Sequence, residues 1–201
     1  MSEAALRETT FDHEFDSQAV FRLLLQATAR PGTVVPLGPS RLDIPPERLR
    51  PACRLLLSIL DAEVALAVDG PEAAALAEYL CVNTGARRAA ALGEADFVLV
   101  TEPESGGRIR EARRGRLDAP HEGATLVYAP TALGDGGSIA LRLTGPGIPG
   151  ERRLGVSGVT ADEWRALRAL MDFPMGVDIW LAAQDSRLAA LPRSTRWILE
   201  A

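Results

Sequence analysis

Apolar residues recur at helical spacing from 18 to 29, where Val20, Phe21, Leu24, Leu25 and Thr28 form one wide, mostly apolar face. The pattern predicts a helix from about Gln18 to Ala29. Asp16 or Ser17 can cap it, because a short side-chain oxygen accepts from free backbone N–H groups, and Pro31-Gly32 stops it. Thr33 to Leu37 reads as a short extended segment, with Pro36 suited to an edge strand because proline cannot donate to a ladder. The proline-rich stretch 38–51 reads as a loop and Ala52 to Leu60 as a helix. Val64 to Val68 is a short buried strand ending at the turn Asp69-Gly70-Pro71. Glu72 to Val82, rich in alanine and leucine, is helical and ends at Asn83-Thr84-Gly85.

Phe97 to Thr101 is a buried strand. Residues 102–123 are polar and glycine-rich, with room for one short helix. Ala124 to Ala129 and Ser138 to Leu143 read as two strands joined through Gly134-Asp135-Gly136-Gly137, so a hairpin is expected. Thr160 and Glu163 stand at capping-box spacing before a helix whose apolar face is Trp164, Leu167, Leu170 and Met171. Val177 to Ala182 is a further strand, and the tail from Leu188 to Leu199 breaks at Pro192.

This alternation predicts an α/β protein, a three-layer α-β-α arrangement around a mixed sheet with helices on both faces. Residues 1–15 read as a loose N-terminal arm and 16–201 as one α/β domain. No repeat, low-complexity tract or domain boundary stands out.

Composition then narrows the chemistry. The chain carries a net charge of −5, which does not favour non-specific nucleic-acid binding. No apolar run reaches the roughly 18 residues needed to cross a bilayer, and the polar start lacks the regions of a signal peptide. A cytoplasmic protein is expected, with Cys53 and Cys81 reduced and buried. All 22 basic residues are arginine; lysine is absent. That excludes a pyridoxal-phosphate Schiff base, a P-loop and a class I aldolase by their usual routes.

Candidate sites are few. His13 and His121 lie far apart in sequence, and Thr125 stands where His121-Glu122 would need a second histidine for a zincin motif. Asp12, His13, Glu14 and Asp16 read as a solvated acidic run rather than a metal site. No histidine is obviously placed to activate Cys81, and Ser157 lacks the second glycine of a nucleophile elbow. No catalytic residue is assigned, and no metal or cofactor is expected.

Three segments keep two readings each. Leu143-Thr144-Gly145-Pro146-Gly147-Ile148 is a tight turn or an anion-facing loop, with Pro146 removing one donor. Arg108, Arg110, Arg113, Arg114 and Arg116 form a solvated loop or a patch for phosphates or an acidic partner. Arg193, Ser194 and Thr195, followed by Arg196, join two guanidinium groups to two hydroxyls that can hold a phosphate or phosphonate oxygen, or close a helix end or an interface. For Arg193 the structural reading, pairing with an acid such as Asp178, is favoured over a ligand role.

Four segments in order resemble the PhnH family of the carbon–phosphorus lyase system. They are Phe21-Arg22-x-Leu24-Leu25 leading to Ala29-x-Pro31-Gly32; Leu143 to Ile148; Phe173-Pro174-x-Gly176-x-Asp178; and Leu191-Pro192-Arg193-Ser194-Thr195. The resemblance implies a fold like the major domain of pyridoxal-phosphate-dependent transferases without the cofactor. It also implies a homodimer when isolated and a core complex with subunits G, I and J. The role implied is support for transfer of an alkylphosphonate to ribose C1 of ATP with release of adenine, and it carries no established catalytic residue. A stand-alone enzyme acting on an anionic substrate near Arg193–Thr195 is the rival reading.

Overall fold

A computed structural model describes residues 6–43 and 45–200. In chain order the elements are α1 (Phe15–Ala29), β1 (Val35–Pro36), α2 (Arg50–Leu57), β2 (Ala65–Asp69), α3 (Ala73–Thr84), β3 (Arg87–Arg88), β4 (Phe97–Val100), β5 (Arg114–Arg116), β6 (Ala119–Gly123), β7 (Thr125–Tyr128), β8 (Ala132–Leu133), β9 (Ile139–Thr144), β10 (Arg152–Ser157), α4 (Ala161–Leu170), β11 (Asp178–Ala182), β12 (Arg187–Leu191) and β13 (Arg196–Glu200).

The main sheet is mixed, with strand order β1-β12-β11-β7-β4-β2-β3. Its five strands from β11 to β3 run parallel, and β12 and β1 are added antiparallel at one edge. Pro36 lies in that edge strand, where its missing N–H costs no ladder bond. Side chains alternate across the sheet with period two. Leu99, Val127, Ala182 and Ala190 face a core shared with α1, α2 and α3. Val98, Leu126, Tyr128, Leu181 and Leu191 face the opposite core, which holds α4 and a second, four-stranded antiparallel sheet ordered β13-β9-β10-β8. Among the described residues, α-helices therefore cover both faces, but unevenly: α1, α2 and α3 on one side, and on the other α4, with most of the cover supplied by a sheet.

The expected hairpin of the segments around 124–129 and 138–143 does not form. β7 sits between β4 and β11, parallel to both, while β9 pairs with β10 and β13. Leu126, Val127 and Tyr128 are all buried, as befits a strand covered on both faces. The turn at Gly134 and Gly137 instead joins β8 to β9.

The N-terminal segment differs from the expected arm. Residues 1–5 lie outside the described residues, but those that follow are fastened down. Leu6 and Phe11 are buried. The Asn83 side chain accepts from the Glu8 N–H and donates to the Leu6 carbonyl, both at 2.8 Å, and the Tyr79 hydroxyl donates to Glu8 at 2.8 Å. Helix α1 starts earlier than expected, after a turn in which Asp12 Oδ1 accepts from the Glu14 and Phe15 N–H groups at 2.8 Å. Its buried face is Val20, Leu24 and Ala27; Phe21 and Leu25, expected in the core, are 46% and 52% exposed.

Candidate functional site

The segment Pro192–Thr195 carries the chain from one sheet to the other. β12 ends at Leu191 in the main sheet and β13 begins at Arg196 in the second. The Thr195 N–H closes a turn onto the Pro192 carbonyl at 2.7 Å. Within it Arg193 acts as a clamp. Its backbone N–H donates to Asp178 Oδ1 at 2.8 Å, and its guanidinium meets both carboxylate oxygens, with Nη2 2.5 Å and Nε 3.2 Å from Oδ2. Nη2 also reaches the Gly123 carbonyl at 3.3 Å, and Nη1 donates to the Pro120 carbonyl. Arg193 thus ties the crossover to the start of β11 and to β6.

Two other motif segments meet at the same place. At Gly147, with φ +80°, a Cβ would stand 2.4 Å from the Ala29 carbonyl oxygen; at Gly32 one would stand 2.2 Å from Leu143. At Gly147 the obstacle is backbone and admits only glycine; at Gly32 the Leu143 methyl could shift, and it is the φ of +74° that favours glycine. Arg152 reinforces them by donating to the carbonyls of Arg30 and Pro31 and to the Thr33 hydroxyl.

A cleft of about 760 Å³ opens beside the crossover. Its walls are Thr144–Pro146 after β9, Arg168 with Met171–Phe173 at the end of α4, and Arg193–Trp197. Register sets the geometry: Arg196 pairs with Thr144, so the first residue of β13 lies opposite the last of β9. Arg168 in the last turn of α4 donates to the Trp197 carbonyl at 3.1 Å, and Trp197 stacks edge-on against Trp164 at 6.0 Å. Ser194 and Thr195 both line the cleft, whereas the Arg193 guanidinium is engaged by Asp178.

The five-arginine stretch does not act as one patch. Arg108 makes two bonds to Asp69 at 2.8 and 3.1 Å, Arg113 pairs with Asp96, Arg114 lies 3.5 Å from Asp172, and Arg116 meets Asp118 and Glu122. The segment also contains the hairpin β5–β6, which its polar composition concealed.

Cys53 is fully buried, and burial, with a smaller contribution from Glu8, pushes its thiol up to about 12. Cys81, expected in the core, is only half-buried; burial still raises its thiol above the ordinary value. Among the described residues, no group of three or more His, Cys, Asp or Glu converges to hold a metal. Nor is any helix among them long and apolar enough to cross a membrane.

One buried network escaped sequence reasoning. Glu163 receives the expected backbone partner, since the Thr160 hydroxyl accepts from its N–H at 3.2 Å. Its carboxylate, however, turns into the core instead of completing the capping box. It accepts from the Tyr128 hydroxyl at 2.6 Å and from the N–H and hydroxyl of Ser105, both at 3.1 Å. Burial, then the charge and hydrogen bond of Glu163, hold the Tyr128 phenol well above its ordinary value. The capping-box spacing marked Glu163, but only the fold shows where its carboxylate goes.

A family model described as bacterial phosphonate metabolism protein (PhnH) matches residues 9–197. A putative C-P lyase subunit protein HtxG from Stutzerimonas stutzeri is 36% identical over 181 residues, covering 89% of this chain and 84% of the relative. An alpha-D-ribose 1-methylphosphonate 5-triphosphate synthase subunit PhnH from Rhizobium meliloti (strain 1021) is 30% identical over 190 residues, covering 92% of each.

Proposed function

Because this chain belongs to the family of bacterial phosphonate metabolism proteins (PhnH), we propose that it serves as a subunit of the carbon–phosphorus lyase system. In that role it supports transfer of an alkylphosphonate to ribose C1 of ATP with release of adenine, and is structural rather than catalytic. The observation that carries this reading is the relative named as a subunit of ribose 1-methylphosphonate 5-triphosphate synthase, which aligns over nearly the whole of both chains. The proposed setting is the cytoplasm, in a core complex with subunits G, I and J, with a homodimer when the chain is isolated.

The structural role has support in the side chains. Arg193, the most distinctive charged residue of the family-like segments, is committed to Asp178 and two carbonyls. Phe15, Phe21, Leu25 and Phe173 are exposed apolar residues that subunit partners would cover. The proposed kinship to the major domain of pyridoxal-phosphate transferases is one of architecture alone, since a chain without lysine forms no internal aldimine.

The test is reconstitution. Subunits G, I and J are co-expressed with and without this chain, and formation of ribose 1-methylphosphonate 5-triphosphate from ATP and methylphosphonate is followed. Co-purification with the other subunits and turnover only in its presence are expected. Full turnover without the chain, or failure to associate with any of them, would refute the proposal and return attention to a stand-alone enzyme.

A further inference from the structure

We propose that the cleft at the sheet crossover binds the phosphate or phosphonate group of a small molecule, with Arg168 and Arg196 as its cations. The site itself stands on the residues; the choice of a phosphorus oxyanion as ligand rests on the function proposed above.

Charge is the first argument. Of the three arginines lining the cleft, Arg193 is neutralised by Asp178. Among the described residues Arg168 makes one bond, to a carbonyl, and its remaining N–H groups meet no carboxylate. Arg196 is exposed and makes no ion pair among the described residues. The acid on the wall, Asp172, has a 66% exposed side chain and faces Arg114. Other arginines of this acidic chain do pair with carboxylates, as with Arg48 and Glu72, Arg54 and Asp16, and Arg153 and Glu200. Arg168 and Arg196 are two guanidinium groups without a carboxylate partner among the described residues, and they line the same cleft. Guanidinium forks match the oxygens of a tetrahedral phosphorus group.

Hydrogen-bonding capacity is the second argument. The Thr195 hydroxyl and the Trp197 indole N–H belong to residues lining the cleft, and both are buried without a partner among the described residues. An indole nitrogen only donates, so a group that reached it would have to accept, as an oxyanion does. The volume, about 760 Å³, falls within the range of small-molecule sites, roughly 300–1,000 Å³. Phe173, 69% exposed, adds an apolar surface for the remainder of the molecule.

The experiment uses the isolated full chain at low ionic strength, with inorganic phosphate, methylphosphonate and ATP titrated separately by calorimetry. Saturable binding of at least one of them is expected. Equal affinity for phosphate and methylphosphonate identifies the oxyanion alone as the recognised group, and tighter binding of ATP identifies a nucleotide. Arg196→Gln and Arg168→Gln should each weaken binding about tenfold, as expected for loss of a charge-assisted bond. Arg142→Gln, an exposed site paired with Glu151, should leave it unchanged. Arg168 supports Trp197, so its variant is compared with the parent by melting temperature; Arg196 is exposed and keeps the test decisive if Arg168→Gln misfolds. No saturable binding of the three probes, binding unaffected by Arg196→Gln, or equal weakening by Arg142→Gln would overturn the proposal. Assembly with subunits G, I and J is read on the same variants. Lost binding with intact assembly supports a ligand site within a sound subunit, and parent protein that binds but never assembles refutes the subunit reading alone.

Discussion

Replacing Arg193 with alanine should destabilise the protein more than any other single arginine substitution. The change removes the guanidinium bonds to both oxygens of Asp178 and leaves the Gly123 and Pro120 carbonyls without that donor. Asp178 keeps one partner, the backbone N–H of residue 193. An exposed ion pair contributes at most about 1 kcal/mol, while removing one partner of a buried pair costs about 3–5 kcal/mol. The two side chains are 16% and 27% exposed, so a cost near the lower end, about 3 kcal/mol, is expected. At roughly 2–4 °C per kcal/mol for a chain of this length, the melting temperature should fall by about 6–12 °C. Thermal denaturation of Arg193→Ala, Asp178→Ala and the double variant measures both the loss and the coupling, which should lie within about 0.5–3 kcal/mol. A single variant melting within about 2 °C of the parent would refute the clamp. If that variant also assembled normally while turnover collapsed, Arg193 would be a ligand residue.

Tyr128→Phe leaves Glu163 Oε1 buried without its hydroxyl donor, so urea denaturation should show a loss of about 1–3 kcal/mol; an unchanged midpoint would place water or another donor there. Gly147→Ala and Gly150→Ala both force alanine to positive φ, at +80° and +71°, but only the first meets a backbone oxygen, at 2.4 Å. The first should therefore be clearly less stable than the second, and equal melting temperatures would contradict the close approach to Ala29. A disulfide reagent at about pH 8 should leave Cys53 unmodified until the protein unfolds, because its thiol is pushed up to about 12 and buried; Cys81 should react first. Burial raises the Glu8 carboxyl, but bonds from Thr10, Tyr79 and Thr9 outweigh this and hold it below the ordinary value of a glutamate. Its contribution is full above that value and is lost as pH falls through the lower folded value, so acid should release the segment around residues 6–11, and Glu8→Gln should remove that pH dependence of proteolysis.

The strands around 65–69, 97–100 and 178–182 were legible because each is a short apolar run bounded by turn residues, and such runs fit few other places than a sheet covered on both faces. What such a run does not encode is its neighbour. β7 and β9 looked like a hairpin because they are adjacent strands with glycine between them, yet β7 is recruited by β4 and β11 and β9 by β10 and β13. β10 itself escaped notice. Its Arg152-Arg153-Leu154-Gly155 start is weakly apolar, and Gly155 is there because a side chain would collide with the Gly134 carbonyl, a contact between segments twenty residues apart. The same limit applies to the charges. Arg193 could be matched to Asp178 in advance because both stand in family-like segments with clear strand ends. The dense run from Arg108 to Arg116 reads from sequence as a solvated loop or an anion patch, and it is largely quenched by acids that the fold brings from Asp69, Asp96 and Asp172. Arg196 belongs to the candidate segment that the sequence already offers, but Arg168 carries no sequence signal; the pairing of Arg196 with Thr144 and the bond from Arg168 to Trp197 set the two on one cleft. Which unpaired cations come to share one cleft is decided by strand register and helix placement, not by their spacing along the chain, and that is a property of tertiary structure alone.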